Sequence, residues 1–124
     1  MRFRIRTLKP ELFRDERVAR WPLPQRLLWI GLIAHADDFG RLEGHPSALR
    51  ALVFPLDDFT TKRVETMLAS IADSGRIHRY HVAGLDYIEI VNWGDHQKVN
   101  RPSPSRIPPF AALNGRHIDD EPNP

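Results

Sequence analysis

The chain has 124 residues and no cysteine, with 18 Lys and Arg against 16 Asp and Glu, a formal net charge of +2. That length holds one domain around a single modest core and argues against two packed domains. The missing cysteine excludes a disulfide framework, a thiol nucleophile and any cysteine-ligated metal centre. Hydrophobic residues at 41% and charged residues at 27% lie near the soluble average, so the chain as a whole is not of the disordered type. No apolar run reaches the roughly 18 to 20 residues of a membrane span, and the basic start runs into Lys9, Pro10, Glu11 and Arg14 rather than a signal-peptide core. The chain reads as an intracellular protein with no membrane partner.

Residues 1–19 form a basic N-terminal arm in which Arg2, Arg4, Arg6 and Lys9 precede any acid. Alternate residues of an extended segment share a face, so Arg2, Arg4 and Arg6 would present three guanidiniums along one edge, a spacing suited to phosphates. The alternative is a strand with a solvated edge, Phe3 and Ile5 tucked on the core.

Residues 20–101 carry the pattern of three helices and a hairpin. Pro24 suits a first helical turn, and Leu27, Leu28, Ile30, Leu32, Ile33 and Ala34 then cover most of the helix circumference, which predicts a central, buried helix. Asp37-Asp38-Phe39-Gly40 ends it, and both aspartates read as turn residues with local hydrogen bonds. A second helix starts at His45-Pro46-Ser47, with Leu49, Leu52 and Val53 on one face, and stops at Phe54-Pro55. The third helix has Thr60 as N-cap, a stripe of Val64, Met67, Leu68 and Ile71, and Gly75 just past its end. His78 to Val82, a turn at Ala83-Gly84, and Tyr87 to Val91 make a β-hairpin with Tyr80, Val82, Ile88 and Ile90 as its predicted inward set.

Six of the eleven prolines fall in residues 102–124, which are predicted to be an extended or disordered tail. Residues 1–107 hold 17 Lys and Arg against 13 Asp and Glu, so the predicted folded part carries +4 and the acidic end dilutes it.

Three helices followed by a hairpin is the order of an α+β winged helix-turn-helix domain. A helix about 10 to 12 Å wide fits the DNA major groove and a hairpin wing meets the adjacent backbone. The third helix is the candidate reader: Thr61, Lys62, Arg63 and Thr66 fall away from its apolar stripe and are types that reach base edges or phosphates. Glu65 and Asp73 balance Lys62 and Arg63, so an ordinary solvated face is the alternative. On the wing, Arg79 and His81 share a face and could meet phosphates, whereas His78 and His81 point to opposite faces and make no metal site. Beyond it, Asn92-Trp93 leads into Lys98, Asn100 and Arg101, an aromatic anchor followed by amides and cations that could lie in a groove. In the other reading Trp93 closes the core and the rest is linker. Asp37/Asp38 and Asp57/Asp58 are sequence neighbours whose side chains diverge, and the chain has no phosphate-cradling glycine loop, nucleophile elbow or HExxH. Neither catalysis nor a cofactor is read from it.

Four separated motifs occur together and in order: Arg4-Ile5-Arg6-Thr7-Leu8-Lys9-Pro10-Glu11, Ala34-His35-Ala36-Asp37-Asp38-Phe39-Gly40-Arg41, Val53-Phe54-Pro55-Leu56-Asp57-Asp58, and Asn92-Trp93 through His96-Gln97-Lys98-Val99-Asn100-Arg101-Pro102. In these the chain resembles the N-terminal winged-helix domain of phage and prophage replication-initiation proteins, the replisome organisers that are loosely DnaD-like. The resemblance implies double-stranded DNA binding near a phage origin in the cytoplasm of a bacterial host, with recruitment of the host helicase or its loader. The same fold as a transcriptional regulator, or as a module that docks on a host protein, is the alternative reading.

Overall fold

A computed structural model describes residues 3–115; Arg2 of the basic arm and residues 116–124 lie outside them. The described chain is α+β. After an extended segment come two short helices, α1 (Glu11–Arg14) and α2 (Glu16–Ala19), then α3 (Leu23–His35), β1 (Arg41–Glu43), α4 (Pro46–Val53), α5 (Thr61–Asp73), β2 (Ile77–Val82), β3 (Leu85–Ile90), α6 (Trp93–His96) and α7 (Phe110–Gly115). The three strands form one antiparallel sheet in the order β1-β3-β2.

Helix ends follow local chemistry. The Asp15 carboxylate accepts from the Arg17 and Val18 amides ahead of α2, His45 Nδ1 accepts from the Ser47 amide at the start of α4, and Thr60 Oγ1 accepts from the Arg63 amide at the start of α5. Gly75 takes a φ of +83° past α5. Ala83 at +51° and Gly84 at +82° give the two positive φ values that a tight two-residue hairpin turn needs.

One core joins Val18 and Trp21 to Leu28, Trp29, Leu32 and Ile33 of α3, Leu42 of β1, Leu49 of α4, the whole Val64, Met67, Leu68, Ile71 stripe of α5, and Ile77, Ile88 and Ile90 of the sheet. Within it the buried Gln25 amide donates to Ser70 Oγ at 2.9 Å and ties α3 to α5.

Several expectations need correction. Of the apolar set predicted to bury α3, Leu28, Leu32 and Ile33 are buried, but Leu27 is 48% exposed and Ala34 is exposed. Leu52 turns outward on α4, while Val53 packs against Gly31 of α3. The predicted inward set of the hairpin does not share a face: the register Ile77↔Ile90 and Arg79↔Ile88 puts Ile77, Ile88 and Ile90 on the core side, and Tyr80 and Val82 on the other. Tyr80 is nevertheless buried, by chain that follows the hairpin. The expected extended tail contains α7, whose Phe110 ring stacks on His78 at 4.1 Å and meets Tyr80 edge-on, and the Tyr80 hydroxyl donates to the Pro108 carbonyl at 2.8 Å. Burial there pushes the Tyr80 phenol above its ordinary pKa.

The turn after α3 is where the N-terminal segment meets the segment that follows the hairpin. Asp37 behaves as a turn residue: its Oδ1 accepts from the Phe39 and Arg41 amides, and Gly40 at φ +81° lies flat against the Trp93 ring. Asp38 does not. Its side chain is 4% exposed; Oδ1 accepts from Arg6 Nη2 at 3.0 Å, and Oδ2 accepts from the Ser103 amide at 2.9 Å and lies 3.3 Å from Arg4 Nη1. Around this carboxylate, Arg6 also donates to the Ala36 carbonyl, the Trp93 indole donates to the Asp38 carbonyl, and Ser105 Oγ donates to Asp37 at 2.6 Å. The buried Gln97 amide completes the junction by accepting from the Thr7 amide at 3.0 Å and donating to the Thr7 carbonyl at 2.7 Å.

The Ser103 amide, and after it the two guanidiniums, hold the Asp38 pKa below its ordinary value against the opposing cost of burial. Replacing Asp38 by Ala leaves the Arg6 guanidinium buried without its counter-ion and should destabilise the fold by about 3 kcal/mol in urea denaturation. Because the folded-state pKa is the lower one, this contribution is complete above the ordinary value of 3.8 and is lost as the pH falls through the folded-state value. The stability gap between the parent chain and Asp38→Asn should therefore narrow below about pH 4.

Candidate nucleic-acid interface

α5 buries its apolar stripe and leaves Thr61, Lys62, Arg63 and Thr66 exposed, as the helical spacing predicts. These side chains are not equally free. The Arg63 guanidinium lies 4.2 Å over the Phe59 ring, and Thr66 Oγ1 donates back to the Lys62 carbonyl at 3.1 Å. Lys62 enters no ion pair among the described residues, and Thr61 stands beside it at the helix start.

The hairpin is fastened to this helix. Arg79 Nη1 and Nη2 donate to the two Glu65 oxygens at 2.8 and 2.6 Å, a two-pronged pair across the space between β2 and α5. These hydrogen bonds lower the Glu65 pKa and raise that of Arg79. Arg79 and His81 do share a face, as alternation requires, but His81 Nδ1 lies 2.8 Å from Asp86 Oδ1 on the neighbouring strand. The predicted phosphate-facing cation of the hairpin is thus committed to a carboxylate on α5. The turn itself, Ala83-Gly84, carries no charge.

Between the start of α5 and the hairpin lies a groove of about 840 Å³, lined by Thr61, Lys62 and Glu65 of α5, Arg79, His81 and Tyr87 of the hairpin, and His45 and Pro46 at the start of α4. A smaller cavity of about 480 Å³ lies at the opposite end of α5, where Gly75 and Arg76 approach Arg17, Asn92 and His96. His96 sits edge-on to Trp29 there, and burial lowers its pKa, which favours the neutral ring.

The N-terminal arm is turned over relative to expectation. Arg4 and Arg6 face the Asp38 carboxylate, Arg6 with a side chain only 6% exposed, while Ile5 is fully exposed and Phe3 packs edge-on against His35. A row of Arg2, Arg4 and Arg6 along phosphates is therefore corrected for Arg6, whose charge is satisfied inside; Arg2 lies outside the described residues, and Lys9 is exposed. After the hairpin, Lys98, Asn100 and Arg101 are all exposed, and Arg101 takes a left-handed φ of +53° just ahead of the Ser103 amide that meets Asp38. Trp93 closes the core rather than standing as a free anchor.

The structure thus gathers Thr61, Lys62, Arg79 and His81 around one groove, and sets Arg4 and Arg6 on the separate Asp38 junction. No protein-family model, curated protein or solved structure matches the chain. Among the described residues no group of three or more His, Asp or Glu side chains could hold a metal ion. Sequence reasoning missed Asp38 and Gln97 because their partners lie 32 to 90 residues away, and no local spacing signals such a contact.

If Arg79 serves to position the hairpin, Arg79→Ala and Glu65→Ala should each cost the same, about 1 kcal/mol at most because Glu65 stays 46% exposed. In a double-mutant cycle by urea denaturation the paired variant should lose no more than either single one; additive losses would contradict the coupling.

Proposed function

We propose that this chain is a winged helix that binds double-stranded DNA through the N-terminal half of α5, with the hairpin as its wing. The observation that carries the reading is the exposed row of Thr61, Lys62, Arg63 and Thr66 standing beside a hairpin held to the same helix by the Arg79–Glu65 pair. The element order α3, β1, α4, α5, β2, β3 with strand order β1-β3-β2 supports the winged-helix reading. A helix of about 10 to 12 Å diameter enters a major groove about 12 Å wide, and a ribbon rigidly tied to it then falls on the neighbouring backbone.

In this reading Thr61, Lys62, Arg63 and Thr66 meet base edges and adjacent phosphates, while Lys98 and Arg101, with Asn100 between them, follow the backbone beyond the hairpin. Arg6 and Arg79 make no phosphate contact, since releasing either would strand a carboxylate. The motif resemblance supports a place in phage replication initiation, with the host helicase or its loader as a protein partner. A preferred sequence found in a promoter rather than an origin would make the chain a transcriptional regulator instead.

Four cations on phosphates predict that log affinity for duplex falls with log salt at a slope of about −4. The double variant Lys98→Ala/Arg101→Ala should flatten that slope by about 2. Duplex binding absent at about 50 mM salt, where the electrostatic contribution is near its strongest, would overturn the reading.

A further inference from the structure

Val64, Met67, Leu68 and Ile71 bury one face of α5. At about 3.6 residues per turn, the line opposite that face runs through Lys62, Thr66, Ala69 and Asp73, each three or four positions from the next. Lys62, Thr66 and Asp73 are exposed and Ala69 is half-buried. Side chains on the two flanks are drawn off this ridge by partners of their own. Glu65 is held by Arg79 of the hairpin, the Arg63 guanidinium lies over the Phe59 ring, and Ser70 Oγ accepts from the Gln25 amide of α3.

A cation stands at one end of the ridge and a carboxylate, which repels phosphates, at the other. Between them the chemistry is apolar. The Thr66 hydroxyl donates to the Lys62 carbonyl at 3.1 Å, one turn back in its own helix. With that donor spent, Thr66 offers its methyl group outward, and the next ridge position, Ala69, has only a methyl to offer. In the major groove every base pair shows donors or acceptors, but thymine alone shows a methyl, on C5. Cytosine shows an amino donor there instead, which a methyl group leaves desolvated and unpaired.

We infer that Thr66 is a specificity-determining residue that reads a thymine C5-methyl by apolar contact, with Ala69 bordering the same contact. This rests on the DNA-binding reading above and adds to it the base that α5 prefers. One methyl group taken out of water changes affinity about fourfold, so the preference is modest at a single position.

The test selects duplexes with randomised centres on the full chain, then replaces each thymine of the tightest one in turn by deoxyuridine, which lacks only the C5-methyl. At one position at least, the replacement should weaken binding about fourfold. Thr66→Ser keeps the hydroxyl and loses the methyl, so it should bind the thymine and deoxyuridine forms equally. Thr66→Val keeps a methyl and loses the hydroxyl, so it should retain the preference. Both changes fall at an exposed position and should leave circular dichroism unchanged. A parent chain indifferent to every deoxyuridine, a preference that survives in Thr66→Ser, or one that Thr66→Val abolishes would each overturn the inference while duplex binding itself stands. Failure of every duplex to bind would overturn the DNA-binding reading and this inference with it.

Discussion

The Asp38 carboxylate takes two guanidiniums from the N-terminal segment and one backbone amide from the segment after the hairpin, with only 4% of its side chain in solvent. A charge so placed is tolerable only while its partners stay in position. The segment before α1 and the one after α6 are fixed there: Arg6 by its pair and the Ala36 carbonyl, Thr7 by the neighbouring Gln97 amide, Ser103 by its N–H. Trp93 completes the same junction, filling the space against Gly40 that any side chain there would take. These two segments are thereby part of the packed structure and not appendages to it.

This has a consequence for recognition. A basic arm read from alternation looks like a row of charges for phosphates, yet alternation says only that Arg4 and Arg6 share a side, not which side faces out. With a buried carboxylate to meet, the cationic side turns inward and Ile5 turns to solvent. The hairpin repeats the pattern, for Arg79 closes on Glu65 and His81 on Asp86. Arg4, Arg6, Arg41, Arg76 and Arg79 are thus held in internal ion pairs among the described residues. In the DNA-binding reading proposed above, phosphate contact falls to Lys62, Arg63, Lys98 and Arg101 rather than to Arg6 or Arg79.

Much of the fold was legible because it rests on local rules. The α5 stripe, its Thr60 cap and Gly75, the start of α4 at His45-Pro46, and the Ala83-Gly84 turn each follow from residue type and spacing over a few positions. What was not legible depends on distant partners or on register. The three-residue strand β1 exists because Arg41 and Leu42 find Glu89 and Ile88, and nothing in Arg-Leu-Glu announces it. The hairpin faces are not legible from residue type, because a register set by a two-residue turn places Tyr80 opposite Tyr87, away from the core, where Phe110 and Pro108 cover it. The exposure of Leu23 and Leu27 on α3 is not legible either, because an apolar pattern over most of a helix circumference does not say which arc the neighbours cover. For the candidate site, the positions of Thr61, Lys62, Arg63 and Thr66 were readable from helical spacing, whereas the neutralisation of Arg6 and Arg79 was not.

The central claim is that DNA meets the α5 and hairpin side of the domain, while the Asp38 junction serves structure. Titrating isotopically labelled protein with a short duplex and following each backbone amide by NMR tests both halves at once. The account predicts the largest shifts at Thr61, Lys62, Arg63 and Thr66, with smaller ones at Lys98 and Arg101 and Thr7 unmoved. Shifts centred on Arg4, Arg6 and Gln97 with α5 unaffected, or none at any duplex concentration, would contradict it.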